Sequence, residues 1–159
     1  MLCPFLTGCR SEETILEDLA SVQRYQYPID VTSEDWFAYS VVEKVEMLKI
    51  PQETLDGMSD LQLLYAAADY PYFVDVSIYG FDPDSFSIYG NHCSAFGELL
   101  SRKSFLKSLE TYGEAIAREY LADPGNHLDV ARADLILGMM EVYTGSRPDV
   151  SDALEGYAD

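Results

Sequence analysis

The chain has 159 residues, 48% of them hydrophobic and 24% charged, which suits one globular domain and argues against a collagen-like, low-complexity or wholly disordered protein. The outlying quantity is charge: 28 acidic against 10 basic residues give −18, which speaks against partners held through phosphates, namely nucleic acid or an anionic membrane face. No run reaches the roughly 18 apolar residues that a membrane-spanning helix needs, so no transmembrane segment is expected.

Residues 1–10 read as a leader or lipobox remnant. Leu6-Thr7-Gly8-Cys9 has the form of a bacterial lipobox, in which the cysteine is lipidated, although the positively charged start and long apolar stretch of a signal peptide are missing. A remnant with lipid at Cys9 and a chance match both stay open. The remaining thiols, Cys3 and Cys93, form neither a disulfide framework nor a C-x-x-C metal spacing.

From residue 11 to 145 the hydrophobic period is helical. Ser11 can cap a helix carrying Ile15, Leu16, Leu19 and Val22, with Pro28 closing the segment. Thr32-Ser33-Glu34-Asp35 opens a second helix, with Trp36, Phe37, Val41, Val45 and Leu48 read as one stripe that ends before Pro51. A short turn of helix follows over Gln52 to Gly57, and Ser59-Asp60-Leu61-Gln62 has capping-box spacing ahead of Leu61, Leu64, Tyr65 and Ala68.

Residues 72–89 support two readings. Alternation of Val74, Val76 and Ile78, then Phe81-Asp82-Pro83-Asp84-Ser85 and Phe86-Ser87-Ile88, allows a small β-hairpin; a short helix with a loop is the favoured rival, because two isolated strands are marginal in water. Asn91 is read as the cap of a helix bearing Phe96, Leu99 and Leu100. A longer helix from about Ser104 carries Phe105, Leu109, Tyr112, Ile116 and Tyr120, and a last one runs from Leu128 to Tyr143 and stops at Gly145. Residues 146–159 read as an acidic tail. The expected fold class is all-α, an irregular bundle or short array of six to seven helices.

The stretch from Glu43 to Tyr112 carries Lys49-Ile50-Pro51, Met58-Ser59-Asp60-Leu61, Asp69-Tyr70-Pro71-Tyr72 and Gly97-Glu98-Leu99-Leu100-Ser101-Arg102, closing on Leu109-Glu110-Thr111-Tyr112. In that order these motifs resemble a family of uncharacterised helical proteins from Gram-positive gut bacteria. The resemblance implies a helical domain in a protein that is often exported, and it brings no catalytic residues.

No constellation points to catalysis. Cys93 next to His92 is poorly placed for activation, since neighbours on a helix point about 100° apart, and only the distant His127 could serve as its base. Asp75, Asp82 and Asp84 lack the glycine and glutamate spacing of a calcium loop, and neither a P-loop nor a dinucleotide fingerprint occurs. No cofactor, no metal and no catalytic residue are therefore assigned, and the chain is read as non-enzymatic.

The informative feature is a distribution. No basic residue lies between Lys49 and Arg102, while acids and aromatic rings accumulate there. Tyr70, Tyr72, Tyr79 and Tyr89 with Asp75, Asp82 and Asp84 are the candidate docking face for an unidentified protein or glycan, a cationic one where the carboxylates steer it. The opposing reading packs the rings inside and leaves the acids as solvated surface. The expected function is an acidic interaction domain at the cell surface or outside the cell; the alternative is a cytoplasmic inhibitor or immunity-type protein that masks a basic active site.

Overall fold

The computed structural model describes residues 10–72, 81–123 and 125–154. Among them the fold is all-α: α1 Glu12–Ser21, α2 Glu34–Ala38, α3 Val41–Met47, α4 Gln52–Gly57, α5 Asp60–Ala68, α6 Pro83–His92, α7 Ser94–Ser101, α8 Phe105–Tyr120 and α9 His127–Thr144, followed by a 3₁₀ turn at Ser151–Leu154. No strand occurs among the described residues, and none of their helices is long and apolar enough to cross a membrane.

Local chemistry sets these boundaries. The first orphan amides are taken by the side chains of Ser11, Ser33, Asp82 and Asn126, and reciprocal capping boxes form at Ser40/Glu43 and Ser59/Gln62. Pro83 occupies the first turn of α6, where its missing N–H costs nothing. Gly145 ends α9 at φ 73°, a left-handed conformation that other residues adopt only under strain.

The nine helices of the described residues exceed the six to seven expected, for two reasons. The single helix expected from Trp36 to Leu48 is two, because Tyr39 and Ser40 are extended and the Ser40 box restarts the chain. The segment Phe86-Ser87-Ile88, weighed as a hairpin limb, lies in α6, which also absorbs Asn91; α7 instead starts after Cys93. The other limb, within 73–80, lies outside the described residues.

Helices α8 and α9 form an antiparallel pair: Phe105 at the start of α8 meets Tyr143 at the end of α9 with ring centroids 5.1 Å apart, while Arg132, near the α9 start, lies over Tyr120. Helix α5, whose residues are almost all buried, packs on α7, α8 and α9, and α1 lies along α8. Helices α6 and α7 approach so closely that a Cβ on Gly97 would stand 2.7 Å from the Gly90 carbonyl oxygen. Residues 146–154, expected as part of a loose tail, partly dock: Val150 is buried, and Arg118 bonds the Asp149 carbonyl and the Asp152 carboxylate.

Rings run through this core as a ladder. Tyr25, Tyr27, Tyr70, Tyr89 and Phe96 follow one another at centroid spacings of 5.0, 5.8, 5.9 and 5.2 Å, mostly edge to face. Their hydroxyls have a common task, which is to donate to carbonyls in the last turns of helices. Tyr27 donates to Ala66 O and Tyr89 to Ala67 O at the end of α5, and Tyr70 donates to His92 O at the end of α6.

Candidate functional site

Among the described residues, the tyrosines expected to form a docking face point inward. Tyr70, Tyr72 and Tyr89 are buried, and the cause is the carbonyl capping just described, which turns Tyr70 and Tyr89 inward. Burial first of all, then neighbouring groups, pushes the Tyr70 and Tyr89 hydroxyls well above their ordinary range. Asp82 and Asp84 are exposed, but Asp82 is the α6 cap, accepting from Ser85 N at 2.8 Å. Asp75, Tyr79 and Cys9 lie outside the described residues.

Cys93 is also enclosed. Burial pushes its thiol up to about 11, so at neutral pH it is not the thiolate that nucleophilic chemistry requires, and His127 stands exposed at the start of α9. Iodoacetamide at pH 8 is expected to leave Cys93 unmodified in the folded protein and to label it in urea; peptide mass spectrometry checks this site by site. Rapid labelling of folded protein would contradict the enclosed thiol.

Charge is arranged unevenly. Every arginine is held in an ion pair within the chain: Arg24 with Glu119 and Asp69, Arg102 with Asp60 and Glu98, Arg132 with Asp69 and Asp129, and Arg10, Arg118 and Arg147 likewise on the surface. Lys44 lies over the Trp36 and Tyr72 rings, and Lys49 pairs with Glu46. Among the described residues Glu12, Glu13 and Glu17 on α1, and Glu34, Asp35 and Glu43 on α2 and α3, have no cation partner.

The latter trio borders the largest concentration of exposed apolar side chains. Phe37 is 74% exposed and Val42 78%, with Tyr39, Val41 and Met47 beside them in sequence; these are five of the nine large hydrophobics exposed among the described residues. Helix α3 buries no residue, and α2 buries only Trp36. The sequence stripe assigned Phe37 and Val41 to the core, but the break at Tyr39-Ser40 ends the common helical face. The signal that could have found this was Ser40-Val41-Val42-Glu43, a capping box inside an apparently continuous period.

Two concavities lie elsewhere on the described surface. Between α1 and α8 a groove of about 920 Å³ is lined by Ile15, Leu16 and Leu19 together with Glu12, Glu110 and Glu114. A second cleft, of about 580 Å³, is walled by Tyr25, Tyr27 and Trp36, with Asp69, Arg24 and Arg132 contributing polar atoms. The search for family models, curated proteins and solved structures similar to this chain finds no match.

Proposed function

We propose that this chain is a non-enzymatic, acidic interaction domain that docks a cationic protein on the α2–α3 face. The observation that carries this is the cluster Phe37, Tyr39, Val41 and Val42, exposed beside Glu34, Asp35 and Glu43. Large apolar side chains exposed so close together in the chain are costly to leave in water and suit a contact surface, and the uncompensated carboxylates of the same segment select a partner whose apolar residues are flanked by Lys or Arg. A second copy of the same chain would set like charges opposite one another, which disfavours self-association through this face.

The Leu6-Thr7-Gly8-Cys9 run supports an exported protein with lipid at Cys9. The same acidic face also suits the second reading, an inhibitor in the cytoplasm that covers a basic active site. A signal-peptide start upstream in the gene favours the first, and a ribosome-binding site directly before Met1 favours the second.

The test compares two synthetic helical peptides of equal positive charge, one Leu/Lys and amphipathic, the other Ser/Lys. The native chain is expected to bind the Leu/Lys peptide more tightly, with association slowing as salt shortens the screening length from ~10 Å at 0.1 M. The double variant Phe37→Ser/Val42→Ser is expected to weaken that binding by roughly tenfold or more, on the order of 1.4 kcal/mol, while leaving Ser/Lys binding and the melting temperature unchanged. Equal affinity for both peptides, or no effect of the double variant, would contradict the proposal.

A further inference from the structure

The cleft beside the base of α2 has a chemistry different from the rest of the surface. Its walls are aromatic and aliphatic: Tyr25, Tyr27 and Trp36, with Leu128 at the edge. Its charged lining groups, Arg24, Arg132 and Asp69, are each already held in ion pairs. Arg24 bonds Glu119 and lies 3.8 Å from Asp69, while Arg132 lies 2.6 Å from Asp129 and 3.4 Å from Asp69. An anion would have to displace carboxylates already in place, and a cation would have to displace guanidiniums.

Hydrogen-bonding capacity nevertheless remains. The buried Arg132 Nε–H has no hydrogen-bond acceptor, its contact with Asp69 being too poorly aligned. Tyr25 OH and the Gln26 side chain make no hydrogen bond among the described residues. A cleft with aromatic walls, charges already paired with one another and both donors and acceptors matches a ligand with apolar C–H faces and several uncharged hydroxyls.

From this we infer that the Tyr25–Trp36 cleft is a binding site for a neutral saccharide, with the partly exposed Tyr25 ring stacking on the sugar face and Asp69, Arg132 and Gln26 serving the hydroxyls. The volume of about 580 Å³ falls in the ordinary range for small-molecule sites and accommodates a mono- or disaccharide. The site is distinct from the α2–α3 face, since Phe37, Val41 and Val42 do not line it.

The chain contains one tryptophan, and it stands in this wall, so its fluorescence serves as a reporter for the cleft. The experiment titrates the full chain with glucose, galactose, mannose, N-acetylglucosamine and their disaccharides, with glycerol as a polyol control and sodium acetate as an anion control. At least one saccharide is expected to give a saturable change in Trp36 emission, while glycerol and acetate give none. Tyr25→Ala is expected to raise the dissociation constant about tenfold or more, and Phe37→Ser to leave it unchanged. Gln26→Ala, at an exposed position, is the second variant and is expected to weaken binding without altering the circular dichroism spectrum. No saturable response to any saccharide, a response that survives both Tyr25→Ala and Gln26→Ala, or one given equally by acetate would overturn the inference.

Discussion

Replacing Phe96 by alanine is expected to lower the unfolding free energy by about 3–5 kcal/mol, the usual cost of deleting a fully buried aromatic ring. Phe96 has no solvent exposure and sits where three units meet: its ring centroid is 5.8 Å from Phe86 and 5.2 Å from Tyr89 on α6, and 6.3 Å from Phe105 on α8 and from Tyr143 on α9. Its removal opens a cavity and breaks the ladder that connects α6 and α7 to the α8–α9 pair. Whole domains are stable by only about 5–15 kcal/mol, so the variant should melt on the order of 10 °C lower. Phe96→Leu, which refills most of the volume, should lose less than half as much. Urea denaturation of the three proteins checks both; a loss below about 1 kcal/mol for Phe96→Ala would contradict the ring's central position.

Arg102→Met is expected to cost roughly 3 kcal/mol, because it keeps the apolar stem while stranding four acceptors at once. The guanidinium bonds Leu55 O at 3.0 Å, Met58 O at 2.7 Å, Asp60 Oδ1 at 3.0 Å and Glu98 Oε1 at 3.2 Å. It therefore joins the end of α4, the start of α5 and α7, with one planar group serving carbonyls and carboxylates in different directions. Arg102→Lys should recover little, since a compact ammonium cannot span that fork.

Asp60 gives the same junction a pH signature. Burial works to raise its carboxyl, but hydrogen bonds from Ser104, Ser108 and Arg102 outweigh burial and hold it below the ordinary range. A depressed native pKa means that the stabilisation is complete above the unfolded value of about 3.9 and is lost as pH falls through the native value. Asp60→Asn is accordingly expected to be less stable at pH 7 and to lose less of its stability on acidification than the native chain. An identical pH slope in both proteins would contradict a charged Asp60 at this junction.

Much of the helical framework was legible in the sequence because its signals are local. Ser59 with Gln62, Pro51 before α4 and Gly145 after α9 announce themselves within four residues, and the structure follows them. The tyrosines were not legible in the same way. Tyr89 finds its carbonyl at Ala67, 22 residues away, and Tyr27 finds its own at Ala66, 39 residues away, so their inward direction is a tertiary fact that spacing along the chain does not encode. Phe37 and Val41 failed for a different reason: two local signals competed, the apolar period across 36–48 and the Ser40 capping box, and the box prevailed.

Hydrogen exchange along the chain, with and without the Leu/Lys peptide, tests the proposed docking face most directly. Helix α3 buries no side chain of its own and is short enough to be marginal alone, so its amides should exchange quickly in the free protein and slow markedly when a partner covers Val41 and Val42. The expected result is new protection confined to residues 34–47. Protection centred instead on the α1–α8 groove, or no change in 34–47 at saturating peptide, would contradict the assignment of that face.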